Sequence, residues 1–421
     1  MESRRCLGWL DRAARCPRLR VATAALACLG AFLPNPARAL TFEEQIQGLT
    51  VTPFLSERVE FESNIFQTPD KTRSDMIFRT IPGFLADLTR GSFSVSVGYR
   101  AEFINYLTLT DQNATNQSEV VQLKLDMPRL KLQLRNDYTE ATDPPGTELT
   151  GPIKSQTNVL APSAEYRLTE RFSVGVNYAW THIHFPQTSG SAATGSPNAQ
   201  QNQTVQQLDE NDQLAAATVW WKFLPKSDIG LSLQYGTTTF DKDSNRDTQR
   251  EVVALTLRGD LTSKLSSTFK IGIEHQQKTN GAPAFIGIVT SGGWIFQVTE
   301  RTQLTLNSER SPQVSVFESA QYYVSTSAGL GVRHEFPSRK LAVFLRVGVG
   351  EDAYNTKQPT ANGVTTKYRL DTFLGTSLGL DYAVRPWLRT GVEYSFKQRT
   401  SNFNQFNYDD NKISGRITVQ F

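Results

Sequence analysis

Apolar and polar residues alternate with period two through most of the chain beyond residue 48. Between Ser92 and Leu107, the side chains of Phe93, Val95, Val97, Tyr99, Ala101 and Phe103 fall on one face. Ser94, Ser96, Gly98, Arg100 and Glu102 fall on the other. Successive side chains of a strand point to opposite sides, so this is a strand with one greasy and one polar face. Val121, Leu123, Leu125 and Met127 alternate with Gln122, Lys124 and Asp126, and Leu130, Leu132 and Leu134 with Lys131, Gln133 and Arg135. The last nine residues repeat the pattern, with Ile413, Ile417, Val419 and Phe421 set against Ser414, Arg416, Thr418 and Gln420. Helical periodicity is nearly absent, and β-branched and aromatic residues dominate the patterned stretches, which predicts an all-β chain.

The connections are of two kinds. Tight turns recur near Arg90, Pro128, Glu170, Lys226, Ser263, Glu300, Ser338 and Pro386. Three of them are alike: Leu168-Thr169-Glu170-Arg171, Leu261-Thr262-Ser263-Lys264 and Val298-Thr299-Glu300-Arg301. Longer polar loops lie between them, among them 142–155, 186–209, 241–247, 311–319 and 356–363. Short turns on one side and long loops on the other are the asymmetry of a transmembrane antiparallel β-barrel of the bacterial outer membrane, with periplasmic turns and external loops. Eight turns and nine loops predict 18 strands, with 16 as the alternative. Pro53, Pro82 and Pro162 fall inside strands of a barrel that has no free edge, which predicts bulges or strand ends there. Glu57 falls on the greasy side of the first strand, so the register of that strand is open.

The total amount of apolar face separates a barrel from a soluble sandwich, since here every hairpin carries a full one. The polar faces carry ions of both signs, and a dry core would exact several kcal/mol for each uncompensated ion, roughly, so that face encloses water. The predicted lumen-lining residues are Arg100, Lys124, Asp126, Lys131, Arg135, Arg258, Asp260, Glu274, Arg346, Arg369, Asp371, Arg389, Glu393 and Arg416. Gly348 and Gly350 read as small residues on the same side. Phe172, Trp221, Phe223, Phe336, Trp387 and Phe421 fit an aromatic girdle beside the tight turns, and Tyr106, Trp180, Tyr322, Tyr323, Tyr354 and Phe396 one beside the loops.

The first 39 residues read as a secretory leader: arginines from Arg4 to Arg20, an apolar run from Val21 to Leu33, then Ala37-Arg38-Ala39. A lipoprotein site at Cys28 is the lesser alternative. Residues 40–421 then form a single barrel domain without cysteine, since Cys6, Cys16 and Cys28 all lie in the leader. Removing the leader's seven arginines from 44 basic side chains, and Glu2 and Asp11 from 41 acidic ones, leaves 37 and 39, a net charge of −2. No polybasic face points to nucleic acid.

Chemistry-bearing motifs are few. His182 and His184 form an H-x-H pair with no third ligand placed by the sequence, and 241–245 begins like a calcium loop but puts Arg246 where glycine is needed. No cofactor or metal is expected, and a barrel hydrolase would need a histidine beside a nucleophile or carboxylate at the outer rim. At Val51-Thr52-Pro53-Phe54-Leu55-Ser56-Glu57, Ser63-Asn64-Ile65-Phe66 and Arg79-Thr80-Ile81-Pro82-Gly83-Phe84 the chain resembles the β-barrel porin 2 family of outer-membrane proteins. The resemblance implies passage of exopolysaccharide, with outer-membrane lipids and export-system components as partners. The terminal Phe421 resembles the signal read by the barrel-insertion machinery. The expected function is a passive pore; the alternative is a non-conducting barrel whose loops bind a partner or glycan.

Overall fold

A computed structural model describes residues 48–142, 148, 150–186, 206–278, 285–315, 322–338, 340–359 and 366–421. The leader, residues 1–39, and most of the loop 186–209 lie outside the described residues. The first six strands are β1 (Leu49–Glu62), β2 (Asp75–Arg90), β3 (Phe93–Tyr106), β4 (Ala114–Asp126), β5 (Leu130–Ala141) and β6 (Ser155–Arg167). The next six are β7 (Phe172–His184), β8 (Glu210–Leu224), β9 (Ser227–Phe240), β10 (Thr248–Asp260), β11 (Leu265–Lys278) and β12 (Phe285–Thr299). The last six are β13 (Thr302–Val314), β14 (Tyr322–Glu335), β15 (Leu341–Pro359), β16 (Thr366–Arg385), β17 (Leu388–Ser401) and β18 (Tyr408–Gln420).

Each strand pairs antiparallel with its neighbours in sequence, and β18 returns to β1, Phe54 opposite Gln420 through Glu62 opposite Lys412. The ring is closed, so no backbone edge is offered to lipid. Phe421 seals the seam: its amide donates to the Pro53 carbonyl at 3.1 Å, and its ring stacks on Trp387 with centroids 6.4 Å apart.

Which face points inwards follows from ion pairs that step over intervening strands. Arg258 on β10 reaches Glu165 on β6 at 2.8 Å, and Arg333 on β14 reaches Asp381 on β16 at 3.2 Å. Only the concave side of a closed sheet permits such bridges. The opposite parity carries the outward face, on which Val253, Leu255, Ile273, Ile286 and Ile288 stand uncovered. In water such a surface would be a severe aggregation liability; against hydrocarbon it is the matching solvent.

Glu57 stays on the outward face, accepting a hydrogen bond from the Thr80 hydroxyl at 3.0 Å, so the register of β1 is the one its apolar residues demand. Two of the three prolines differ from expectation. Pro82 and Pro162 are neither bulges nor strand ends: each pairs normally on one side, opposite Leu55 and Leu134, while the ladder on the other side lapses and resumes in unchanged register. Proline lacks one donor and so interrupts only the ladder that would receive it. Pro53 lies one residue beyond the first β1–β18 pair. Register shifts occur instead near the tight turns, at Lys222/Leu224, Gln297/Thr299 and Ala383/Arg385, and in β15 at Ala353/Lys357. The strands β13 and β15 also run further into their loops than the polarity of 311–319 and 356–363 suggested, ending at Val314 and Pro359.

The girdle beside the tight turns forms as expected: Phe172, Trp221, Phe223, Phe336, Trp387 and Phe421 are all exposed. The outer one needs correction. Tyr106, Tyr323 and Tyr354 are buried, Tyr323 stacked on Tyr354 at 5.1 Å, because their parity turns them into the barrel mouth, where loop residues cover them.

Candidate functional site

The lumen wall is built from the polar half of every strand. By register all fourteen predicted lining residues take the inward parity, and they fall into three zones. Near the tight turns stand Lys124, Asp126, Lys131, Arg135, Arg258, Asp260, Arg389 and Arg416. Arg258 bridges Glu165 and Asp228 at 2.8 and 3.0 Å and lies 3.9 Å over the Trp220 ring. Arg416 reaches Asp381 at 2.8 Å, and Arg135 pairs with Asp137 two residues on along the same face.

At mid-height are Arg100, Glu274, Arg346 and Glu393. Arg346 and Glu393, from strands two apart, lie 3.5 Å from each other and line a cavity of about 550 Å³. The floor of that cavity is nearly bare backbone, with Gly329, Gly331, Gly348 and Gly375 between Asn307 and Ser377. A Cβ at Gly329 or Gly331 would come within 2.4 Å of Asn307 or Thr305, so side chains from β13 already occupy the space above these glycines.

The third zone departs from expectation. Arg369 and Asp371 were read as lining a wet passage, but both are fully buried, as is Arg399. Asp371 accepts from Arg369 at 2.6 Å and from Arg399 at 2.5 Å. The guanidinium of Arg369 lies between two rings, 3.4 Å over Phe406 and 4.5 Å over Tyr354. Phe406 belongs to a single helical turn, Asn404–Phe406, in the β17–β18 loop, which folds over the wall and shuts water out. Charged groups in such a place are held by pairing, hydrogen bonds and cation–π contact together.

Other loops fold inwards as well. Ile65 and Phe66 of the β1–β2 loop pack with Ile77, Ile104, Tyr106 and Leu109, while the Asp75 carboxylate accepts the Thr108 and Leu109 amides at 3.0 and 2.6 Å. A second cluster joins Ile153, Phe185, Leu208 and Phe240, with Val314 from the tip of β13 packed against it. Ser315, fully buried, donates to Glu148 at 2.8 Å, and its carbonyl accepts from Arg246 at 2.8 Å.

Glu148 comes from the β5–β6 loop, eight strand positions around the ring of 18 from the β13–β14 hairpin. Strand spacing and tilt make such a barrel roughly 35 Å across, so this contact joins nearly opposite walls. The end of β13, at Val314 and Ser315, reaches across the outer mouth and is held by struts from two other loops. Arg246, the residue that spoils a calcium loop, is one of them, braced by Asp243 at 3.0 Å. Sequence reasoning missed this arrangement; its only trace was single apolar residues, such as Phe66, Leu109, Ile153 and Phe406, within polar loops. Arg246→Ala removes a charged hydrogen bond, a loss of about 1.5–3 kcal/mol to the hairpin's seat. The expected result is larger or longer openings in single-channel recordings, with strand content by circular dichroism unchanged.

The histidines lie elsewhere. Trp180, His182 and His184 stack along the outward face at the outer end of β7, with centroids 6.1 and 6.4 Å apart. His182 pairs with Asn211 at 3.1 Å, and His184 with Asp209 at 3.0 Å, where Lys242 also approaches at 3.5 Å. Among the described residues no three His, Cys, Asp or Glu side chains converge as metal ligands.

The family model described as "Putative beta-barrel porin 2" matches residues 47–421. No curated protein matches the chain. Among solved structures, the outer membrane protein OpdK of Pseudomonas aeruginosa is 11% identical with a TM-score of 0.49, over 88% of this chain and 99% of that one. OccAB3 of Acinetobacter baumannii is 9% identical with a TM-score of 0.46, over 88% and 99%, and OprD of Pseudomonas aeruginosa 11% with 0.44, over 89% and 96%. With its closed 18-stranded wall and a match that spans the whole barrel, the chain belongs to the β-barrel porin 2 family and is a porin-like protein of the bacterial outer membrane.

Proposed function

We propose that the barrel is a passive channel for polar solutes, with exported polysaccharide as the cargo that the family resemblance suggests, and with passage set at the outer mouth by the β13–β14 hairpin. The observation that carries this reading is the inward wall, ionic from the tight turns to the mid-height cavity, where Arg346 and Glu393 remain open to the lumen. A wall of that kind is stable only around water, and a hydrated bore selects by width, lining hydrogen bonds and charge. No cofactor enters the mechanism. Phe421, uncovered on the outer surface beside Trp387, is the residue that the insertion machinery would read.

Conductance in planar bilayers tests the proposal: steady unitary openings support it. Arg346→Ala, which removes the ion-pair partner of Glu393 and one positive charge from the cavity, is expected to shift the reversal potential in a salt gradient towards cation selectivity. An unchanged reversal potential would remove Arg346 from the path of the ions. The end of β13 reaching across the mouth favours a second reading, a non-conducting barrel whose outer loops bind a partner or surface glycan. Silence from both the native protein and Arg246→Ala, together with loop-dependent glycan binding, would establish that alternative.

A further inference from the structure

The tight turns share one backbone contact in which the carbonyl of a turn residue accepts the amide near the end of the next up-running hairpin. In six of the eight turns that residue is a cation: Arg129, Arg171, Lys226, Lys264, Arg301 and Lys340. All six side chains are exposed, so the periplasmic rim of the barrel carries a ring of cations, interrupted by Glu170 and Glu300 in the same turns and by the Lys226–Asp260 pair. On one arc the ring becomes concave. A cavity of about 130 Å³ lies among the β4–β5, β6–β7 and β8–β9 turns, and Arg129, Lys131, Arg167, Arg171, Lys222 and Arg258 line it against three carboxylates, Glu165, Glu170 and Asp228. Arg258 engages Glu165 and Asp228. Among the described residues, none of the other five cations has a carboxylate within ion-pair distance, in contrast to Arg333, Arg346 and Arg416 higher on the wall.

The backbone contacts force like charges together. The Arg167 amide meets the Arg129 carbonyl and the Lys222 amide the Arg171 carbonyl, both at 2.8 Å, so two pairs of cations sit on adjacent strands, an arrangement that repels unless an anion lies between them. Lys131, Glu165, Lys222, Asp228 and Arg258 have the inward parity, which opens the cavity to the lumen entrance. We propose that this cavity is an oxyanion-binding site at the periplasmic entrance, taking a carboxylate, phosphate or sulfate group of a solute that enters the barrel from that side. The direction of entry rests on the channel reading; the binding itself does not.

The test is calorimetric titration of the purified full-length barrel in neutral detergent with tetragalacturonate, using maltotetraose as the uncharged comparator. Tetragalacturonate is expected to bind and maltotetraose not, and raising salt from about 20 mM to about 300 mM is expected to weaken binding, since the cations are exposed. Arg129→Glu/Arg171→Glu is expected to weaken binding at least tenfold, while Lys264→Glu/Arg301→Glu, on the ring but away from the cavity, leaves it within twofold; heat-modifiable migration shows that each variant is folded. Equal losses in both variants would overturn the cavity in favour of a diffuse rim field. Tighter binding of short-chain phosphatidylglycerol, lost in the same cavity variant, would assign the site to a lipid headgroup and overturn the solute. A barrel that conducts but binds neither saccharide overturns this inference and leaves the channel standing. One that is silent in bilayers yet binds through the cavity does the reverse.

Discussion

Asp371→Ala lowers the stability of the barrel by about 3–5 kcal/mol, the scale expected when one partner of a buried ion pair is removed. The carboxylate is fully buried and is shared by Arg369 and Arg399, themselves buried under Phe406. Its loss removes the carboxylate that both buried guanidiniums share, and the least expensive relief is for the β17–β18 loop to lift and admit water. Urea titration of the refolded barrel measures the first effect, and increased exposure of the 402–407 backbone to hydrogen exchange measures the second. Replacing the group as a whole, Arg369→Met/Asp371→Leu/Arg399→Met, is expected to recover most of the loss, because the guanidiniums that the carboxylate balanced are removed with it. If the triple variant is as unstable as the single one, packing and not charge holds the loop.

Ile273→Arg costs about 2–4 kcal/mol, the penalty for an arginine at the bilayer midplane on the lipid face of a barrel. Ile273 is 61% exposed, near the centre of β11, and faces outward between Val253 and Ile288. Lys270, three residues away on the same strand, points inward, so Lys270→Arg serves as the comparator and is expected to change stability by less than about 0.5 kcal/mol. Equal effects of the two substitutions would contradict the assignment of the two faces.

The two variants probe different kinds of information. That residues 93, 123 and 417 take the hydrocarbon side while 124, 258 and 416 take the other was legible along the chain, because a strand alternates its faces and a membrane barrel places solvents of opposite character on the two sides. The tight turns could be read for the same local reason: a hairpin must reverse within a few residues, and the Leu-Thr-Glu-Arg and Val-Thr-Glu-Arg stretches mark the reversals. Strand number followed from counting them. Pro82 and Pro162 were misjudged because a sequence does not show on which neighbour a missing donor falls.

The mouth could not be read in this way. Arg369 and Arg389 look alike as alternating cations on successive strands, yet one is sealed beneath Phe406 and the other lies beside the tight turns. Periodicity gives the side of the sheet a residue occupies but not what covers it. Residue order alone determined a lipid-facing barrel and the polarity of its two faces, since alternation depends only on neighbours along one strand, and the count of its turns favoured 18 strands over 16. The tertiary structure alone decided that Glu148, Arg246 and Ser315 meet across the outer opening, because residues so far apart in the chain become neighbours only when the sheet closes on itself and loops rooted on opposite walls share one small space.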